Sequence, residues 1–203
     1  MTQKYDELAD RFTEHEYGDP ERYFGHRATI VVTVGPRLEP GDRILDLACA
    51  DGSAAPPLIA RGLRYTGVDA SEAMLEIART RVPAAEFVAG DLLTYSPPEP
   101  VAATTIFRSL HFVEDRTTFF RHVASFTEKK LVFDFAPRRH SPADVHAELS
   151  EAGFGRVAFH PFFVSQHTRL PRPVANLLVS LERTPLARLL LHVRFSYVCA
   201  ASR

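Results

Sequence analysis

Tryptophan is absent from this chain, and cysteine and methionine appear only twice each in 203 residues. Two cysteines, Cys49 and Cys199, make neither a disulfide scaffold nor a cysteine-based zinc site, and no metal is expected. Apolar runs of membrane-spanning length are missing too, because Glu182, Arg183 and Arg188 interrupt the longest candidate. The opening MTQKYDELADRF is charged and lacks the apolar core of a signal peptide, so a cytoplasmic protein is expected. Charge of one sign is also scarce. A net charge of −1 gives no global polyanion-binding signature, and no nucleic-acid partner is expected. The balance is uneven, however: residues 138–203 carry nine arginines against four acids. That basic third suits an anionic substrate or a peripheral lipid contact, and scattered, solvated arginines account for it as well. Internal repeats and low-complexity tracts are absent. The length fits one domain, residues 1–203, large enough to bury a real core.

What is present is an alternation of strand and helix patterns. Tyr5, Leu8, Ala9 and Phe12 fall at helical spacing. Gly18-Asp19-Pro20 breaks that helix, and Pro20 opens a second one running to about Val34. Residues 1–40 read as a helical cap on a core of residues 41–169. In the core, strands are expected at Arg43–Leu47, Tyr65–Val68, Glu86–Ala89, Val101–Phe107 and Lys130–Phe135. Helices are expected at Ser53–Arg61, from Ser71 to Thr80, at Arg116–Phe126 and at Pro142–Ala152. Such alternation predicts an α/β fold with a parallel sheet. Two more strands, Val157–Val164 and a last one in residues 194–203, flank an apolar insertion at 170–193. In that insertion Val174, Leu177, Leu178 and Leu181 recur at helical spacing, which predicts a helical lid; plain packing or a dimer face fits the same pattern. The oligomeric state is not legible.

The chain is organised around GDRILDLACADG, residues 41–52. A short buried strand runs into a turn of small residues (Ala48, Cys49, Ala50, Gly52) and then into a helix. Backbone N–H groups and a helix N-terminus then face a ligand, unless the unit simply packs small residues closely. Asp46 lies near the end of the first strand and Asp69, 23 residues on, ends the second. An acid there is where a doubly wound fold binds ribose hydroxyls. Asp91 follows the third strand in the same way. Each acid alone reads equally well as a cap or turn residue; three in phase point to a ligand site. A nicotinamide-dinucleotide site wants G-x-G-x-x-G/A leaving the strand directly, and the loop here, D-x-A-x-A-x-G, does not match it.

That loop resembles the first motif of class I S-adenosylmethionine-dependent methyltransferases, written acid-x-G-x-G-x-G. GVDASEAMLEIAR (67–79) is similar to the second motif, FVAGDLL (87–93) to the third, and TTIFRSLHFVED (104–115) to the segment after strand four. FSYVCAAS (195–202) is similar to the family's final antiparallel strand, and YDELADRF to the N-terminal helix of its small-molecule members. The resemblance covers nearly the whole chain. It implies a Rossmann-like, doubly wound, mostly parallel seven-stranded sheet with an antiparallel last strand. It implies S-adenosylmethionine as cofactor and S-adenosylhomocysteine as product. Residue by residue, it implies Asp46 and the Ala48 backbone at the methionine amino end, with the backbone of Cys49, Ala50 and Gly52 along the cofactor. Asp69 would take the ribose, Ala70 and Met74 would flank the adenine, Asp91 would accept from its amino group, and Leu92 would pack beside the ring. Arg108 and Ser109 would close the methionine side. Ala48 and Ala50 stand where the family has glycine; alanine there is costly only if the backbone needs a positive φ or the ligand comes very close. Cofactor binding is expected to survive both.

Methyl transfer from a sulfonium needs donor and acceptor held in line more than it needs a fixed catalytic motif. No N-P-P-Y-type segment follows the fourth strand, which turns the expectation away from base or amide nitrogen. The expected acceptor is a small hydrophobic or aromatic molecule, methylated on oxygen rather than nitrogen or carbon. His111 is the candidate general base, although its neighbours Leu110, Phe112 and Val113 read as structural. The other reading is a protein that binds the cofactor as a regulatory or scaffold element without turnover.

Overall fold

The computed structural model describes residues 12–135, 141–184, 187 and 196–203; the expected helix over Tyr5–Phe12 lies almost wholly outside them. Two helices precede the sheet, α1 (Phe12–Glu16) and α2 (Pro20–Thr33). Asp19 caps α2 by accepting the Arg22 N–H at 3.2 Å, and Pro20 supplies its first residue. The missing N–H of proline costs nothing there.

Seven strands follow: β1 (Arg43–Leu47), β2 (Arg64–Asp69), β3 (Glu86–Ala89), β4 (Val101–Ile106), β5 (Thr127–Phe135), β6 (Arg156–Phe162) and β7 (Ser196–Ser202). Their order is β3-β2-β1-β4-β5-β7-β6. The first five pair in parallel, and β7 runs antiparallel between β5 and β6. The order reverses between β1 and β4, so the helices leave on opposite faces and a crevice opens there at the carboxyl edge. Between the strands lie α3 (Ala55–Ile59), α4 (Glu72–Arg81), α5 (Arg116–Phe126), α6 (Pro142–Glu151) and α7 (Arg172–Glu182).

Two cores sandwich the sheet. One packs Ile30, Val31, Leu58 and Leu75 from α2, α3 and α4; the other packs Phe120, Val123, Val145 and Leu149 from α5 and α6. Successive residues of β5 divide between them, Val132 to the first, Leu131 and Phe133 to the second, as the period of two requires. Lys130, at the same strand, is fully buried and donates to the carbonyls of Val34 (2.6 Å) and Val32 (3.3 Å) at the end of α2. A cation at a helix C-terminus is favourable, yet burial pulls this ammonium down to about 8. The bond fastens the cap to the sheet.

Expected and observed elements agree closely, with three differences. The helix expected at Ser53–Arg61 contracts to α3, because the chain leaves Gly52 in a left-handed conformation and Pro56 and Pro57 withhold two donors. β5 starts at Thr127 instead of Lys130, with the Thr127 hydroxyl 2.6 Å from that of Thr104 in β4. In α7 the apolar stripe divides: Ala175 is buried, whereas Val174, Leu177 and Leu181 stand exposed, Leu177 at 60%. Glu182 faces inward instead. Its oxygens meet His26 Nε2 and the Phe163 N–H, both at 2.6 Å.

Candidate functional site

After β1 the backbone turns through three left-handed residues, Ala48 (φ 60°), Ala50 (φ 49°) and Gly52 (φ 71°). The alternation aims the loop across the sheet edge, and for the two alanines it costs on the order of 1 kcal/mol each. Positive φ was the condition that makes alanine unfavourable here, and both positions meet it. Gly52 has no substitute: a Cβ would lie 2.9 Å from the Phe87 ring and 3.0 Å from Ala78. The Cys49 side chain points the other way, into the core; its thiol would sit 2.8 Å from a Cβ on Gly67, and burial pushes its pKa up. Cys49 therefore contributes its backbone to the loop's outer surface.

Two acids stand beside this loop. Asp69, at the end of β2, accepts the Ala50 N–H at 2.8 Å and the Ser71 N–H at 2.9 Å. Those bonds fix the carboxylate in the turn. Ser71 caps α4 through the Met74 N–H, at 3.2 Å. Next along the edge, exposed Asp91 accepts the Leu93 N–H at 2.8 Å, and Gly90 donates to the Asp69 carbonyl at 2.9 Å, joining the two turns. Ala70 is exposed and Leu92 half-buried, whereas Met74 is buried beneath them.

Asp46 is placed differently. It is 3% exposed, and its oxygens accept the Tyr65 and Thr105 hydroxyls, each at 2.6 Å. The carboxylate thus braces β2 and β4 across β1. Burial raises its pKa to about 6 against the lowering effect of both hydroxyls. Asp51, which the sequence reading passed over, is buried at the far side of the loop. It pairs with Arg81 of α4 at 2.6 Å and accepts the Thr13 hydroxyl of α1.

The opposite wall follows β4. Arg108 is left-handed (φ 59°), and its N–H donates to Asp134 of β5 at 2.8 Å. Its guanidinium reaches the Glu16 carboxylate at 2.8 Å and the Tyr17 hydroxyl at 3.2 Å. With Thr13 on one wall and Glu16 on the other, α1 spans the crevice. Ser109 is buried, its hydroxyl donating to the Phe107 carbonyl at 3.1 Å. His111 sits exposed on a short 3-10 turn, Leu110–Phe112, with its ring 4.0 Å from that of Phe112. Beneath Arg108 the sequence reading missed Arg27, ringed by Phe107, Tyr23 and Phe162. A usable signal existed: Tyr23, Arg27 and Ile30 share one face of α2.

Residues 44–130, from β1 into β5, match the family model described as a methyltransferase domain. Over those residues the chain is similar to methyltransferase domains. Trans-aconitate 2-methyltransferase of Paracidovorax citrulli is 44% identical over 62 residues, which is 30% of this chain and 24% of the relative. The chain therefore spans about a quarter of that relative's length. Among solved structures, magnesium protoporphyrin IX methyltransferase from Synechocystis PCC 6803, with bound SAM, superposes at a TM-score of 0.59 and 19% identity. The match covers 98% of this chain and 83% of that one. The cyclase SpnF superposes at 0.66 and 17% identity, over 100% of this chain and 95% of that one. At such identities the likeness establishes the fold. Among the described residues no helix is long and apolar enough to cross a membrane.

Proposed function

We propose that this chain binds S-adenosylmethionine and transfers its methyl group to a small-molecule acceptor, releasing S-adenosylhomocysteine. The observation that carries this is the pair of acids, Asp69 and Asp91, in adjacent turns beside a left-handed loop at the switch point of the sheet. That donor set fits an adenosyl group: fixed carboxylates for hydroxyls and an amino group, and small residues where a ring must approach. Asp69 takes the ribose and Asp91 the adenine amino group, with Ala70 and Leu92 along the ring and Met74 as support from below. The backbone of Ala48, Cys49, Ala50 and Gly52 lines the cofactor. Asp46 holds the loop that offers the Ala48 backbone to the methionine ammonium, and Arg108 and Ser109 close that end. The cofactor, when bound, supplies a methyl carbon already activated by a sulfonium. The protein's work is then to exclude water, align the acceptor and, for a hydroxyl acceptor, receive a proton. Exposed His111 serves in that last role, and an unchanged turnover in His111→Ala removes it.

The acceptor is small and hydrophobic or aromatic, methylated on oxygen. Support comes from the aromatic group that Tyr23 and Phe24 of α2 form with Tyr17 and Phe162, with ring centroids 4.7–5.4 Å apart. The relatives named for trans-aconitate favour a small molecule over a macromolecule. Helix α7 (Arg172–Glu182) serves as a lid on this side, and most of the rest of the expected lid lies outside the described residues. Binding without turnover is the second reading, favoured by the strain at Ala48 and Ala50 and by His111 standing on an exposed turn.

Calorimetric titration with S-adenosylhomocysteine tests the first reading. Micromolar affinity is expected, falling roughly tenfold or more in Asp69→Ala as charge-assisted hydrogen bonds are lost. No heat up to millimolar ligand defeats it. Acceptor turnover from labelled S-adenosylmethionine rejects the second reading.

A further inference from the structure

Helix α7 is seated against the usual rule. Its inward residues are Ala175, Val179 and Glu182, spaced i, i+4 and i+7; its outward ones are Val174, Leu177 and Leu181, spaced i, i+3 and i+7. The two stripes lie roughly a third of a turn apart. A surface helix ordinarily turns its apolar stripe to the core. Here a carboxylate is 3% exposed while Leu177 is 60% exposed.

Burying a carboxylate is costly unless it is paired and hydrogen-bonded. Glu182 meets that condition through the Phe163 N–H and His26 Nε2, each at 2.6 Å. Among the described residues no lysine or arginine pairs with it, so His26 of α2 is its counter-ion. The imidazole stacks on Phe162, with ring centroids 5.4 Å and planes 24° apart. The other ionisable groups that bear on this pair are His160 of β6 and Arg183 at the end of α7. Burial disfavours the charged form of His160, whose Nδ1 meets the Pro161 carbonyl at 2.7 Å, and Arg183 is exposed. Also from α2, Arg22 donates to the Asn176 side chain of α7 and leaves its own buried Nε without a partner. The inverted seating of α7 thus depends on one acid and its histidine.

We propose that His26 and Glu182 form a proton-controlled latch that decides which face α7 turns toward the body of the protein. With His26 charged, the ion pair keeps Glu182 in and Leu177 out. Histidine is the side chain that changes charge between about pH 5 and 8. A neutral imidazole still offers Glu182 a hydrogen bond, but one roughly half as strong. As pH rises, the balance therefore moves toward the other seating, with Leu177 and Leu181 inward and Glu182 in water. The latch goes beyond the methyl-transfer reading, and neither cofactor nor acceptor enters its test, so the two can fail separately.

The readout is thiol reactivity, because Cys49 and Cys199 are both buried and leave a low background. Leu177→Cys reports the outward stripe and Ala175→Cys the inward one, with Val179→Cys in its place should the buried site not accept sulfur. Reaction rates with a disulfide reagent are followed from about pH 6 to 8.5, across the histidine range. Their ratio is compared, since every thiol reacts faster at higher pH. With the latch intact, the Leu177→Cys to Ala175→Cys ratio should fall roughly tenfold, the difference between a charged and a neutral hydrogen bond. His26→Gln keeps a donor but cannot charge, and should give a flat ratio. Glu182→Leu should reverse the ratio at every pH. A ratio independent of pH with His26 and Glu182 in place overturns the proposal. So does a joint rise of both rates, which means that the helix lifts off instead of turning over. A fall that persists in His26→Gln assigns the proton to His160 and also overturns it. The pH scan needs no substitution at His26 or Glu182, so it decides the matter even if those variants do not fold.

Discussion

The two walls of the crevice are made of different materials. Along β1, β2 and β3 the site is backbone and short side chains: three left-handed residues, the fixed carboxylate of Asp69, exposed Asp91. Along β4, β5 and β6 it is long side chains from distant parts of the chain, Arg27, Arg108, Phe107 and Phe162, gathered around Asp134. A backbone surface tolerates little change because every adjustment moves the main chain. A surface of long side chains can be rebuilt residue by residue. On the proposed reading the first wall takes the cofactor and the second the acceptor.

That contrast breaks most visibly at Gly52. Gly52→Val places a β-branched residue at φ 71°, with its Cβ 2.9 Å from Phe87 and 3.0 Å from Ala78. The combined strain and overpacking amount to about 3 kcal/mol or more. The urea midpoint should drop accordingly and S-adenosylhomocysteine binding should vanish. A Gly52→Val protein with native stability would mean that the loop is as plastic as the opposite wall.

The same contrast governs what the sequence discloses. Asp69, Ser71, Gly52 and Asp91 could be read because each role is settled within a few residues, at a strand end, a turn or a helix cap. β1, β3 and α5 fall on their expected boundaries for that reason. The brace on Asp46 is not local: Tyr65 and Thr105 lie 19 and 59 residues from it. Nothing in LDLAC announces that the carboxylate is spent inside the sheet. Arg27 is hidden similarly, since only the folded cap brings Phe107 and Phe162 against it. In α7 the pattern misleads outright. Counting charged residues as outward-facing turns Glu182 to solvent, whereas pairing with His26 and the Phe163 N–H turns it in and leaves Leu177 exposed.

Asp46 sharpens the comparison with a pH signature, because it is a backbone-wall acid that burial has made reluctant to ionise. Its folded pKa, about 6, lies above the value of 3.8 for a free side chain. The folded state therefore holds the extra proton between about pH 4 and 6. The stability this contributes is full below pH 4 and is lost as pH rises through 6, a difference of about 3 kcal/mol by linkage. Asp46→Asn removes the titration and keeps an oxygen for one hydroxyl, while the other can rotate to accept from the amide. Relative to the wild type, the variant should gain stability between pH 4.5 and 7.5, measured by urea unfolding at each pH. Parallel profiles would show that Asp46 is solvated in a way its bonds to Tyr65 and Thr105 do not suggest.

The smallest effect expected is at Ala50, and it decides whether the loop's strain matters to binding. At φ 49° alanine is held in the left-handed region, where glycine carries no Cβ penalty. Ala50→Gly relieves on the order of 1 kcal/mol in the folded state and gives part of it back through a freer unfolded chain. A net gain of about 0.5 kcal/mol should raise the melting temperature by roughly 1–2 °C. The Ala50 N–H still reaches Asp69, so affinity for S-adenosylhomocysteine should change less than stability does. If Ala50→Gly instead tightens binding tenfold while stability stays put, the Cβ itself crowds the ligand. The alanine would then hold the chain below its full affinity, and binding without turnover would gain support beyond the backbone strain.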